Sequence, residues 1–247
     1  MWNFLERTGL VLGVPALERL QNSRAALLGL GGVGSAAAEA LCRMGVGHLL
    51  LMDSDAVAPS NLNRQLLATW QAVGRPKTEA ARERLLSINP ELDLAESRDF
   101  LLPENGDQVF DWRPDVVLDA VDTVTTKLYL AQTCQSRGIP LISCMGTGNR
   151  IDPSRLKIGD LSETSGNGCP LARVMRRELK KRGVGALTVV FSEEHPAKGV
   201  CADAENGRHA PGSTALVPPV AGYLLAYGAV RALLGEESRP ARPDRKN

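Results

Sequence analysis

The chain reads as an α/β protein built on a doubly wound, mostly parallel sheet, and three features of the sequence predict this. Short apolar runs bounded by glycine, proline or aspartate alternate with helix-like segments. A Gly-rich turn, Gly29-Leu30-Gly31-Gly32-Val33-Gly34, joins the first run to the first of these helices. Two of the runs end in carboxylates, Asp53 and Asp119, at the strand ends where open α/β sheets bind ligands.

The elements follow in order. Ala25 to Leu28 is a buried strand running into the glycines. Val33 to Met44, rich in alanine, is a helix stopped by Gly45. His48 to Met52 is the next strand, parallel to the first because a helix intervenes. Pro76, suited to a first helical turn, opens a helix that ends at Asn89-Pro90, and Leu92 to Glu96 is a further strand. Val116 to Leu118 leads into Asp119. Thr125 to Arg137 is a helix closed by Gly138, and Pro140 to Cys144 is the strand after it. From Gly146 to Gly185 glycines and loops surround a basic helix-like run. Leu187 to Phe191 resumes as a strand, Pro196 to Ser213 is a polar loop, and 217–234 is a helix. The expected organisation is one domain over residues 1–235, with a nucleotide-binding core at 7–150, a substrate-side insertion at 146–213 and a disordered tail at 236–247.

Composition narrows the function. The chain has 247 residues, 29 Lys and Arg against 28 Asp and Glu, and a net charge of +1, so any hold on nucleic acid must come from a local patch. Five cysteines occur with no Cys-x-x-Cys pair, which argues against a structural zinc and fits reduced thiols in the cytoplasm. No signal pattern opens the chain. The apolar stretch from Ala215 to Leu234, broken by Pro218, Pro219, Gly222 and Gly228, reads as a buried helix rather than a membrane span.

The Gly-rich turn opening a helix suits phosphate, because bare backbone N–H groups face the ligand. Asp53, 24 residues after Gly29, stands where a carboxylate takes ribose hydroxyls. A dinucleotide site would need no more. Asn61-Leu62-Asn63-Arg64-Gln65 and Lys77 add cationic donors, which a triphosphate under attack does need. Asp122, beyond Asp119, suits Mg²⁺ held between protein and phosphates. Taken singly, Arg64 and Lys77 also fit solvated helix charge, and Asp122 a helix cap.

Together, Gly-x-Gly-Gly-x-Gly, Asp53-x-Asp55, Asn61-x-x-Arg64-Gln65, Lys77 and Asp119-x-x-Asp122 resemble the E1-like adenylyltransferase superfamily over about residues 7 to 150. The resemblance implies a Rossmann-like adenylation domain with a C-terminal insertion, which uses ATP and Mg²⁺ to adenylate a carboxylate. It implies that Gly31 and Gly32 line the phosphates and Asp53 takes the ribose, with Gly34 and Asp55 also among the ATP contacts. Asn61, Asn63, Arg64, Gln65 and Lys77 contact ATP, and Asp122 serves the metal. Arg7, in Glu6-Arg7-Thr8-Gly9-Leu10, resembles an arginine finger reaching across a homodimer.

Gly148-Asn149-Arg150-Ile151-Asp152-Pro153 and Cys169-Pro170-Leu171-Ala172-Arg173-Val174-Met175-Arg176-Arg177 are similar to the tRNA threonylcarbamoyladenosine dehydratases. That family activates the threonyl carboxylate of the modified tRNA and closes it into a ring. The expected partners are tRNA, a second copy of the chain and a cysteine desulfurase or sulfur-acceptor system. Arg173, Arg176, Arg177, Lys180, Lys181 and Arg182 against Glu178 form a basic run that would track RNA phosphates, with Arg150 beside it; a solvated helix face is the plain reading. Cys169 near Arg173 is a candidate nucleophile, and the loop histidines His195, after Glu193-Glu194, and His209 are candidate bases, against a packing cysteine and plain loop histidines. The rival readings are an activator of a ubiquitin-like sulfur carrier and a nicotinamide-dependent oxidoreductase.

Overall fold

In the computed structural model, which describes residues 3–197, 201–202 and 210–235, two helices precede the first strand. α1 (Glu6–Leu12) and α2 (Val14–Gln21) meet at Gly13, whose φ of 85° makes the bend. Neither is anticipated from sequence, because each is too short to establish a helical period. Next come β1 (Arg24–Leu28), α3 (Gly32–Arg43), β2 (His48–Met52), α4 (Lys77–Ile88), β3 (Asp93–Ser97), the short α5 (Asp107–Asp111) and β4 (Val116–Asp119). Then follow α6 (Val124–Arg137), β5 (Leu141–Cys144), β6 (Leu156–Asp160), α7 (Pro170–Lys181), β7 (Thr188–Ser192), β8 (Cys201–Ala202), β9 (Ala210–Pro211) and α8 (Val217–Leu234).

Seven strands form one sheet in the order β3-β2-β1-β4-β5-β7-β6. Every pairing is parallel except β6 with β7. The doubly wound reading therefore holds, and the antiparallel edge strand is the addition. Leu156 and Ile158 alternate with Lys157 there, too brief a pattern to stand out among the surrounding glycines. Strand order reverses between β1 and β4, and an open sheet has its ligand crevice at that switch point.

Strand side chains alternate between the two faces. Ala25 and Leu27 pack with Ala37, Ala38 and Leu41 of α3 and Ala221, Leu225 and Ala229 of α8. Ala26 and Leu28 pack on the other face with Leu130 and Ala131 of α6 and Ala172 and Met175 of α7. The apolar C-terminal segment is thus a core helix. Its mean hydropathy of 1.3 would suit a membrane, but it is 56% buried against the rest of the protein. At its crossing with α3 only glycine fits, since a Cβ on Gly222 would stand 2.2 Å from the Val33 carbonyl oxygen. The anticipated tail at 236–247 and His209 lie outside the described residues, as does part of the polar loop before α8.

Candidate active site

At the switch point a cleft of about 670 Å³ opens over the C-terminal ends of β1, β2 and β4. It brings together most of the residues singled out in sequence: Gly31, Gly32, Asp53, Asp55, Asn61, Arg64, Gln65, Lys77 and Asp122 all line it. A second groove of about 700 Å³ lies at the opposite ends of β5 and β7, with Arg231 as its charged lining residue. In an open α/β sheet the ligand crevice lies at the other end, beyond the carboxyl ends of the strands.

The glycines divide by function. A Cβ at Gly31 would meet no atom within 4 Å, so its backbone faces open cleft. A Cβ at Gly34 would stand 1.8 Å from the Gly29 carbonyl oxygen, and Gly34 is buried. Gly34 therefore packs α3 onto the turn and does not itself line the cleft.

Asp53 is held by main chain. Its Oδ2 accepts the Leu30 N–H at 2.6 Å and its Oδ1 the Asp55 N–H at 2.8 Å, so the carboxylate ending β2 fixes the Gly-rich turn. Lys77, only 5% exposed, enters from the first turn of α4; its Nζ lies 2.6 Å from Asp55 Oδ2 and 3.6 Å from Asp53 Oδ1. The chain between these elements is shaped by Asn61, whose Oδ1 accepts the Ala58 N–H and whose carbonyl accepts the Arg64 and Gln65 N–H groups. Arg64 is aimed by Nη1 donating to the Ser60 carbonyl and to Asn63 Oδ1, both at 2.9 Å. Asn63 itself does not line the cleft; its Nδ2 donates to the Ser213 carbonyl. Gln65 Oε1 is buried with no hydrogen-bond partner.

Asp122 is exposed in the cleft, its contact being the Thr123 hydroxyl at 3.4 Å. Among the described residues no group of three or more His, Cys, Asp or Glu side chains encloses a metal. A Mg²⁺ shared with phosphates needs no such cage, since it keeps waters and takes one or two carboxylates. Asp122, unpaired with any cation among the described residues, fits that demand. Asp99, Phe100, Leu101 and Thr126 also line the cleft and escape sequence reasoning. The signal available was their place just beyond β3 and at the start of α6.

The remaining expected residues lie elsewhere. Arg7 is exposed on α1 and outside the cleft lining. Arg150 is 5% exposed and donates to the carbonyls of Gly146 and Glu194 at 2.5 and 2.9 Å. It secures the loop after β5 and cannot face RNA, which corrects its place in the basic patch. On α7, Arg176 donates to the Thr164 hydroxyl, while Glu178 pairs with Arg177, Lys181 and Arg182. Those cations hold the Glu178 carboxyl down to about 2. Arg173 and Lys180 are exposed. Cys169 is buried and its Sγ caps α7 by accepting the Ala172 N–H at 3.4 Å, a packing role. His195 is exposed beside Gly168.

The sequence profile of the ThiF family matches residues 5–246. The chain belongs to the ThiF family. This ThiF-family chain is 42% identical over 245 residues to the tRNA threonylcarbamoyladenosine dehydratase of Bacillus subtilis, covering 95% of itself and 96% of that protein. It superimposes on the Escherichia coli tRNA N6-threonylcarbamoyladenosine dehydratase in complex with ATP at a TM-score of 0.83, with 32% identity and 92% of each chain covered. The complex of that protein with AMP gives the same TM-score at 33% identity. The sulfur carrier protein ThiS adenylyltransferase of Escherichia coli is 38% identical over 132 residues, 53% of this chain and 52% of that one.

Proposed function

We infer that this ThiF-family protein is an ATP-dependent tRNA threonylcarbamoyladenosine dehydratase. The observation that carries the reading is likeness along almost the whole chain to a dehydratase, 95% of one sequence against 96% of the other. The likeness to the sulfur-carrier activator covers about half of each chain. That activator is the second reading, because it shares the nucleotide cleft.

In the reaction a carboxylate oxygen of the threonyl group attacks the α-phosphorus of ATP, the bond to the bridging oxygen breaks, and pyrophosphate leaves. The carbamoyl group of the same substrate then attacks the acyl carbon. AMP departs with the former carboxylate oxygen, and a proton is released. Water is thereby lost from the substrate at the expense of ATP. The ring-closing step is intramolecular, so positioning supplies much of its rate.

The residues take the following parts. The Gly31 backbone receives phosphate, and Asp53 and Asp55 stand on the ribose side. Arg64 and Lys77 offset charge growing on the phosphates as pyrophosphate leaves. Asp122 would hold Mg²⁺, which when bound neutralises phosphate charge. Asn61 and Gln65 shape the wall. The exposed α7 cations that pair with no acid among the described residues, Arg173 and Lys180, would meet tRNA phosphates. The same reading treats residues 1–235 as one adenylation domain with 146–213 on the substrate side.

Leu10, Val11 and Val14 are 84%, 59% and 43% exposed beside Arg7, and this apolar surface supports a homodimer in which Arg7 completes the partner's cleft. Cys42, Cys134, Cys144 and Cys169 are free and buried, which supports a reducing, cytoplasmic setting. Any sulfur-acceptor partner would find no accessible thiol among these four.

The test is AMP release from ATP with three offered substrates: tRNA bearing the uncyclised modification, the same tRNA already cyclised, and a ubiquitin-like carrier protein. Release with the first alone is expected, and Arg64→Ala and Asp122→Ala should abolish it while the protein stays folded. Release with the carrier alone would transfer the assignment to the second reading.

A further inference from the structure

Beneath the cleft lies a fully buried ion pair that the assigned site residues do not include. Lys127 of α6 and Asp119 at the end of β4 are both 0% exposed, with Nζ and Oδ2 3.0 Å apart. The ammonium spends all three of its protons: on Asp119, on the Ser143 hydroxyl at 3.2 Å, and on the Cys144 carbonyl at 2.8 Å. Ser143 in turn donates to Asp119 Oδ2 at 2.6 Å. Asp119 Oδ1 accepts the Val121 N–H, and the Lys127 N–H reaches the Thr123 carbonyl. The turn from Ala120 to Thr123 is therefore closed from both sides, by the side chain and the main chain of a single lysine.

Burying such a pair costs free energy that an apolar pair of similar volume would avoid. The position also argues against simple packing. Lys127 shares its helix stripe with Leu130, Ala131 and Cys134, all of them core residues. Its charge joins the ends of β4 and β5 to α6, and the turn it closes lines the cleft with Ala120, Val121, Asp122 and Thr123. Asp122 has no strong side-chain contact to hold it, so main-chain geometry sets where its carboxylate stands.

We propose that Lys127 is a positioning residue for adenylation: through Asp119 and Ser143 it holds the Ala120–Thr123 turn so that Asp122 meets Mg²⁺ on the nucleotide. The proposal rests on the nucleotide reading of the cleft. It assigns Lys127 no contact with substrate.

The experiment compares the wild type with Lys127→Met, Lys127→Arg and Ser143→Ala. Calorimetry gives ATP affinity with and without Mg²⁺, kinetics give kcat and KM for AMP release, and thermal melts give stability. In Lys127→Met the gain in ATP affinity on adding Mg²⁺ should shrink at least tenfold, with kcat falling more than KM rises. Binding without Mg²⁺ should stay within about threefold of the wild type, and Lys127→Arg should recover part of the Mg²⁺ gain. Should Lys127→Met fail to fold, Ser143→Ala decides by the same ratio, with a two- to fivefold shrinkage expected. A lowered melting temperature with an unchanged Mg²⁺ ratio and kcat would overturn the proposal and leave the pair as structural only. A wild type that gains nothing from Mg²⁺ would sink the nucleotide reading itself, and this inference with it.

Discussion

Arg64 Nη1 donates to Asn63 Oδ1 at 2.9 Å, and Asn63 passes the link on to the Ser213 carbonyl at 3.0 Å. The guanidinium lining the cleft is thus oriented by a residue tied to the segment that leads into α8. Replacing Asn63 with alanine removes both bonds and leaves Arg64 held by Ser60 alone. A small misplacement of a group that acts in the transition state costs rate more than binding. For Asn63→Ala we expect kcat for AMP release to fall about tenfold. Stability should change by about 1 kcal/mol or less. Steady-state kinetics beside a thermal melt check this, and an unchanged kcat would refute it.

Lys77 Nζ pairs with Asp55 Oδ2 at 2.6 Å. A phosphate must then compete with that carboxylate for the ammonium. Asp55→Asn keeps the shape and removes the rival charge, so ATP should bind several-fold more tightly, with the largest gain at low salt. Lys77→Met should cut kcat by roughly 10²-fold, the scale of losing one donor to developing charge. Calorimetric titration of both variants tests the pair. Weaker ATP binding by Asp55→Asn would show that this carboxylate contributes more to the ligand than it withholds.

The buried thiols predict a pH dependence. Burial pushes the thiols of Cys144 and Cys134 up to about 12 and that of Cys42 up to about 11. In the unfolded chain a cysteine titrates near ~8.5. The native state therefore keeps protons that the unfolded chain has lost above that pH. Their stabilising effect is complete below about pH 8.5 and is withdrawn as pH rises toward the folded values. Melts from pH 7 to 10.5 in reducing buffer should show a decline beginning near pH 9 that Cys144→Ala makes shallower. In the native protein at pH 8, iodoacetamide should leave these three positions unmodified; fast alkylation of Cys144 would contradict its burial.

The basic helix should respond to Glu178 in a way its composition hides. With three cations paired to one carboxylate, the basic run from Arg173 to Arg182 offers RNA less free charge than its six Arg and Lys residues suggest. Glu178→Gln should strengthen tRNA binding about three- to tenfold and steepen its decline with salt. Arg173→Ala with Lys180→Ala should weaken binding and lower the salt slope by roughly one per cation removed, about two together. Filter binding over a salt series reads both. Identical slopes in all three proteins would move the RNA surface off α7.

The parallel core was legible because its strands are short apolar runs separated by clear helix stops. Gly45 and Gly138 mark ends that the fold keeps, Gly138 in a left-handed cap with φ of 66°. The N-terminal helices and β6 escaped because Leu17, Leu20 and Leu156 owe their burial to neighbours distant in sequence rather than to a local period. Arg150 was misread for a related reason. Its charge suggests solvent, yet the carbonyls of Gly146 and Glu194 make burial favourable, and Glu194 is 44 residues away.

From local order alone came the strand–turn–helix unit, the Gly-rich turn and the charged residues at strand ends, because backbone geometry and short-range periodicity act over a few neighbours. Folding was needed to sort those residues by task. Lys77 came to rest between two aspartates and Asn63 turned away from the cleft to steady Arg64, while Lys127 was sealed against Asp119. Each of these outcomes depends on the distance between groups brought together from separate elements, and electrostatic and hydrogen-bond energies fall steeply over the few ångströms that decide it.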